Sequence, residues 1–207
     1  MESLVARSKQ AGAEILHVVP RVFEKLAFGD RHEGMVAVAR TPQPALADLQ
    51  LSEEPLIAVL EGCEKPGNLG AVLRSADGAG VEALVAAELR TDLYNPNAIR
   101  ASLGTLFTVP TVAATTADTL AWLRQQRMRI FAARLENACP YTEVDLRGRT
   151  AIILGSEAHG LSPQWNSPEV IGIRLPMLGA ADSLNVSATA AVLFYEALRQ
   201  RQHGGSG

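Results

Sequence analysis

The sequence predicts an α/β protein built on a mostly parallel sheet. Three observations carry this. The segments Leu56-Ile57-Ala58-Val59-Leu60 and Ala151-Ile152-Ile153-Leu154 are unbroken apolar runs, as strands are when helices cover both faces of their sheet. Between such runs lie segments whose apolar residues recur every three or four positions, the period of a helix packed by one face. Several runs also end in loops rich in glycine and small polar residues, where open parallel sheets bind their ligands.

In chain order, residues 4–10 and 22–27 read as short helices, and 15–19 and 35–39 as apolar strands. That is a thin core for an independent unit. Residues 41–54 hold Pro42 and Pro44, with Pro55 closing the stretch, and read as a linker with a helical turn at 45–49. A second domain over 55–203 then alternates strand and helix. Strands are expected at 56–60, 83–86, 106–109, 129–133, 151–154 and 170–175. Helices are expected at 68–79, at 97–103 and from a Thr116 cap through Leu123. The last helix, 188–201, is a long amphipathic one with Val186, Ala190, Leu193, Phe194, Ala197 and Leu198 along its buried stripe. Gly204-Gly205-Ser206-Gly207 is expected to be a flexible tail.

Composition narrows the function classes. The chain has 207 residues, is 47% hydrophobic and 20% charged, and carries a net charge of −3, so no overall basic field announces nucleic acid. Arginine outnumbers lysine 16 to 3, and any polyanion contact must come from a local patch. No apolar run is long enough for a membrane span. Cys63 and Cys139 lie far apart without metal-type spacing, which predicts reduced thiols in a cytoplasmic protein and no metal site.

Three loops concentrate the chemistry. The first, after Leu60, runs Glu61-Gly62-Cys63-Glu64-Lys65-Pro66-Gly67-Asn68-Leu69-Gly70 into a helix bearing Arg74. Asn68 is a candidate N-cap, and Gly70 permits close approach of a backbone or ligand. The second, Gly155-Ser156-Glu157-Ala158-His159-Gly160, follows an apolar strand and presents a carboxylate between two glycines. It could complement a helix dipole or meet a cationic ligand; His159 has no evident partner. The third, from Met177 to Ser187, carries Ser183, Asn185 and Ser187 just before the last helix. Short polar side chains there suit an N-cap as well as a binding site.

In order and spacing, these three loops resemble the motifs of the SPOUT superfamily, specifically its SpoU (TrmH-like) RNA ribose 2′-O-methyltransferases. Asn68-Leu69-Gly70 with Arg74 matches an Asn-x-Gly followed by Arg. Gly155 to Gly160 matches Gly-x-Glu-x-x-Gly. Leu175-Pro176-Met177 with Ser183-Leu184-Asn185-Val186-Ser187 matches (Ile/Leu)-Pro-Met followed by Ser-Leu-Asn-Val-Ser and a helix. Residues 1–40 resemble the back half of an L30e-like RNA-binding domain, whose front half has no counterpart in this sequence. The resemblance implies a C-terminal trefoil knot, a homodimer with its active site near the interface, S-adenosyl-L-methionine as cofactor, and transfer of its methyl group to a ribose 2′-hydroxyl of structured rRNA or tRNA. It further implies Gly155, Leu175 and Leu184 at the cofactor, and Asn68, Arg74, Glu157, Ser183 and Asn185 in the catalytic pocket. A guanidinium holds its proton far above neutral pH, so Arg74 is expected to bind a phosphate and favour the ribose alkoxide rather than act as a base. The competing expectations are a non-catalytic knotted relative that binds RNA or senses the cofactor, and a doubly wound nucleotide-binding protein.

Overall fold

A computed structural model describes residues 2–27 and 34–203 of the chain. They fall in two units, Met1–Thr41 and Pro42–Gly207. Residues 28–33, which lie within the L30e-like match, and the tail 204–207 lie outside the described residues.

The first unit contains helices α1 (Glu2–Gln10) and α2 (Pro20–Leu26). The strands expected at 15–19 and 35–39 do not form. Apart from half-buried Ile15, their apolar side chains stand in solvent, with Leu16 73% and Val38 97% exposed. β-propensity is realised only where a neighbour supplies ladder partners and a packed face, and neither segment has one among the described residues.

The second unit is a three-layer α/β/α sandwich. Strands β1 (Leu56–Glu61), β2 (Ala83–Ala87), β3 (Thr111–Ala114), β4 (Arg129–Ala133), β5 (Ala138–Pro140), β6 (Thr150–Leu154) and β7 (Val170–Arg174) form one sheet in the order β3-β2-β1-β6-β4-β7-β5. Every pairing is parallel. On one face Leu56, Ala58 and Leu60 pack with α3 (Pro66–Gly78), α4 (Pro96–Ser102) and α6 (Val186–His203). On the other, Ile57 and Val59 pack with Leu120, Trp122 and Leu123 of α5 (Thr116–Gln125) and with Trp165. Both faces of β1 are thus dry, the reason its sequence is apolar from Leu56 to Leu60. Leu46, Leu49 and Leu51 pack against this second cluster around a 3-10 turn at Leu46–Asp48, so the proline-rich stretch is more than a tether.

Three local expectations change. The strand expected at 106–109 is a 3-10 turn, Thr105–Phe107, and β3 begins later at Thr111. Leu106 and Val109 are both buried, and their three-residue spacing fits a turn of helix better than a pleat. The cap of α5 is Thr115, whose side chain accepts from Asp118 N–H, rather than Thr116. Helix α3 starts at Pro66, with Lys65 at the cap position, so Asn68 is not its cap. Proline suits a first helical turn because its missing N–H would be unpaired there anyway, and the earlier start leaves the Asn68 side chain free for other partners.

Strand β5 has no expected counterpart. It is three residues long, ends in proline and borders the sheet, a position where the missing N–H is tolerated. Strand β7 lies between β4 and β5, although only residues 134–137 separate those two in sequence. Parallel neighbours ordinarily need a crossover of a dozen residues. Here β4 and β5 are offset along their length, with Ala132 and Ala138 both opposite Gly172. The connection therefore steps directly over β7. It does so at Gly172, where an added Cβ would lie 2.5 Å from Arg134 Nε and closer still to the Asn137 carbonyl. Only glycine leaves room for that crossing.

Candidate active site

The site lies at the carboxyl edge of the sheet, where the direction of strand succession changes between β1 and β6. Loops after β1, β4, β6 and β7 meet there. The loop after β6 is closed by Ser156 and Gly160, whose backbones exchange hydrogen bonds of 3.1 and 2.9 Å. Gly160 has a φ of +65°, and Ser156 Oγ accepts from His159 N–H. A Cβ on Gly155 would stand 2.6 Å from the Gly160 carbonyl oxygen and 2.7 Å from Leu161 N. The loop thus folds back onto a position that must be glycine.

That loop walls a cavity of about 680 Å³, within the ~300–1,000 Å³ range of small-molecule sites. Its lining includes Gly155, Leu175 and Leu184, the three positions expected at the cofactor, together with Glu157 and Ser183. Trp165 forms part of the wall, Thr189 of α6 another, and residues 134–137 a rim. The proportions, the glycine cradle and the mixed apolar and polar lining fit a nucleoside-sized ligand such as S-adenosylmethionine.

Beside this cavity is a polar cluster around Glu157. Lys65 Nζ binds Glu157 Oε2 at 2.7 Å. The Asn185 amide donates to Glu157 Oε1 and, at 3.4 Å, to Asn68 Oδ1. Asn68, Glu157, Lys65 and Cys63 line a second, small cleft of about 70 Å³. The hydrogen-bonded Lys65 ammonium holds the Glu157 carboxyl below the ordinary carboxylate range, against a smaller desolvation effect. Burial pushes the Cys63 thiol up, which leaves it a poor nucleophile.

The structure therefore brings together Asn68, Glu157 and Asn185 in one hydrogen-bonded group, and sets Gly155, Ser183, Leu175 and Leu184 around the adjoining cavity. Arg74 stands apart. It is exposed further along α3, lines neither cleft, and has no hydrogen bond or ion pair among the described residues. Gly70 serves helix packing rather than a ligand, since a Cβ there would lie 2.6 Å from Ala101 Cβ and Ser102 N in α4. Lys65 is a site residue that the sequence reading does not anticipate. Its one signal is its place at the cap of the motif helix, three positions before Asn68.

A parallel sheet with a glycine-cradled cavity and a carboxamide–carboxylate cluster at its carboxyl edge places the unit among the α/β domains that bind a small-molecule ligand at their strand ends. The chain belongs to the SpoU rRNA methylase family, whose model matches residues 55–195. Among relatives, the 23S rRNA (guanosine-2′-O-)-methyltransferase RlmB of Bordetella pertussis is 34% identical over 207 residues, covering 98% of this chain and 84% of that protein. A solved RNA 2′-O ribose methyltransferase superposes with a TM-score of 0.78 at 43% identity, over 94% of this chain and 76% of its own. The SpoU methyltransferase AviRb from Streptomyces viridochromogenes, in complex with the cofactor AdoMet, gives 0.74 at 30% identity, over 79% and 67%.

Proposed function

We propose that the protein transfers a methyl group from S-adenosylmethionine to a ribose 2′-hydroxyl of structured RNA, with ribosomal RNA as the substrate class favoured by its relatives' names. The observation that carries this reading is the Glu157–Asn185–Asn68 group placed beside a cavity of cofactor size.

When bound, the cofactor supplies an electrophilic methyl on a sulfonium. The chain's own task is alignment, worth up to ~7–11 kcal/mol when the reacting atoms are held in near-attack geometry. Gly155, Leu175 and Leu184 are assigned to the cofactor wall. Glu157, fixed by Lys65 and Asn185, presents acceptor oxygens that can hold a ribose hydroxyl. Asn68 supplies an amide, and Ser183 a hydroxyl, at the rim. Arg74 is assigned to the phosphate next to the target ribose, where its fixed positive charge favours the developing alkoxide.

The separation of Arg74 from the Glu157 group supports a homodimer whose second copy completes the pocket, and exposed Tyr195 on α6 gives that copy an aromatic contact. The crossing of residues 134–137 over Gly172 supports the trefoil knot. Residues 1–40 are read as a partial L30e-like RNA-contacting segment. No described helix is long and apolar enough to cross a membrane. The place of action is read as the cytoplasm, with structured RNA as the partner.

The test is calorimetry with S-adenosylhomocysteine, followed by incubation with labelled cofactor and total RNA from a strain lacking the protein, with 2′-O-methyl mapping. Cofactor binding at micromolar concentration and a discrete new 2′-O-methyl site are expected. Absence of both sinks the reading.

A further inference from the structure

Glu61 ends β1, is 4% exposed, and its carboxyl group has no cationic partner among the described residues. An acidic side chain is rarely buried unless its oxygens are fully engaged, and these are. Oε1 accepts from Thr116 Oγ1 at 2.5 Å and from Ser162 Oγ at 2.8 Å, and Oε2 accepts from Ser162 N–H at 2.7 Å. Thr116 is free to donate because Thr115 caps α5 in its place. The first turn of that helix adds favourable partial positive charge, and Glu88 takes the Thr116 N–H at 2.9 Å.

Two of the three bonds go to Ser162, immediately after the loop 155–161 that walls the large cavity. At its start this loop is fixed by β6, and the next residue, Ser156, sits 3.5 Å from where a Cβ of Gly62 would be. At its end, Glu61 is the side chain that takes hold of it. The loop's own bridge, Ser156 to Gly160, sets its shape but not its placement on the sheet.

We propose that Glu61 is a positioning residue for the cofactor, acting through Ser162 to hold the 155–161 wall at the separation the cofactor requires. This deepens the methyltransferase reading and rests on it. Glu61 touches neither cavity, so loss of its grip loosens cofactor binding more than it slows transfer from the bound state.

The test compares Glu61→Ala, Glu61→Gln, Ser162→Ala and Thr116→Val in the full chain. The readouts are the S-adenosylhomocysteine Kd by calorimetry, and cofactor KM and kcat in RNA methylation. Glu61→Ala is expected to raise Kd and KM about tenfold with kcat within about threefold, the pattern of lost uniform binding. Glu61→Gln should rescue, because its oxygen can face Ser162 N–H while the two hydroxyls rotate to accept from its amide. Ser162→Ala, which keeps the backbone bond, should raise Kd about threefold, and Thr116→Val, which spares both Ser162 bonds, should stay within about twofold. If Glu61→Ala does not fold, Ser162→Ala against Thr116→Val decides. The inference is overturned if the wild type binds cofactor but Ser162→Ala leaves Kd unchanged, or if Thr116→Val weakens binding as much as Ser162→Ala. A wild type that binds no S-adenosylhomocysteine overturns the methyltransferase reading itself.

Discussion

The side-chain amide of Asn185 joins Glu157 to the start of α6. Its nitrogen donates to Glu157, while its oxygen accepts from Ser187 N–H at 2.9 Å and from Ser187 Oγ at 2.6 Å. One planar group thus caps a helix and orients a carboxylate. Asn185→Asp keeps the capping oxygen but loses the donor and sets a second negative charge against Glu157. Stability should stay within ~1 kcal/mol, while methyl transfer falls about 100-fold through misplacement of the carboxylate. Denaturant melts and single-turnover rates measure the two effects separately.

The Lys65–Glu157 pair predicts a pH signature. Glu157 titrates lower in the folded chain than in the unfolded one, chiefly through its hydrogen bond to Lys65. Its contribution to stability is therefore present above the unfolded glutamate value of ~4.3 and lost as pH falls through the lowered folded value. Lys65→Met should move the Glu157 midpoint upward and carry any acid limb of the rate profile with it. Carboxyl-resolved NMR titration checks this, and an unmoved midpoint would show that the pair does not form in solution.

Two glycines should resist substitution for steric reasons and a third should not. Gly172→Ala drives a methyl into the Asn137 carbonyl, and Gly155→Ala into the Gly160 backbone. Overpacking of this kind costs ~1–3 kcal/mol. At Gly67, in the first turn of α3, an added methyl would meet nothing within 4 Å, so Gly67→Ala should be neutral or stabilising by up to ~1 kcal/mol. Urea unfolding of the three variants ranks them.

Arg74→Ala should leave stability within ~0.5 kcal/mol, since the side chain is exposed and makes no bond to lose. Cofactor affinity should be unchanged and methyl transfer reduced about 100-fold. Arg74→Lys should recover little of it, because a single ammonium cannot reproduce the planar fork on a phosphate. Full turnover in Arg74→Lys would remove both the phosphate and the alkoxide role.

Legibility in the sequence follows how local each constraint is. Strands β1, β4 and β6 stand out because burial on both faces keeps their inner residues (56–60, 130–133 and 151–154) apolar. The three motif loops stand out because their residue types are specific. The first unit's apolar segments look like strands because propensity is a property of the segment, whereas pairing depends on a neighbour. Asn68 passes for a cap and Thr116 for another because composition near a helix start does not say which of several nearby residues takes the capping conformation. The roles of Glu61 and Lys65 depend on partners 101 and 92 residues away. Neither local pattern nor periodicity carries such information.

The insertion of β7 between β4 and β5 has a consequence for synthesis. Both flanking strands leave the ribosome before β7 exists, and domains generally begin to organise from the N-terminal side as the chain emerges. Until Gly172 arrives, the inner edge of β4 offers an unpaired ladder, the kind of edge that recruits other chains. A nascent polypeptide stalled between Pro140 and Val170 should therefore be the aggregation-prone and chaperone-dependent species, and the slowest stage of maturation should be the entry of the C-terminal segment into a slot its own chain has already built.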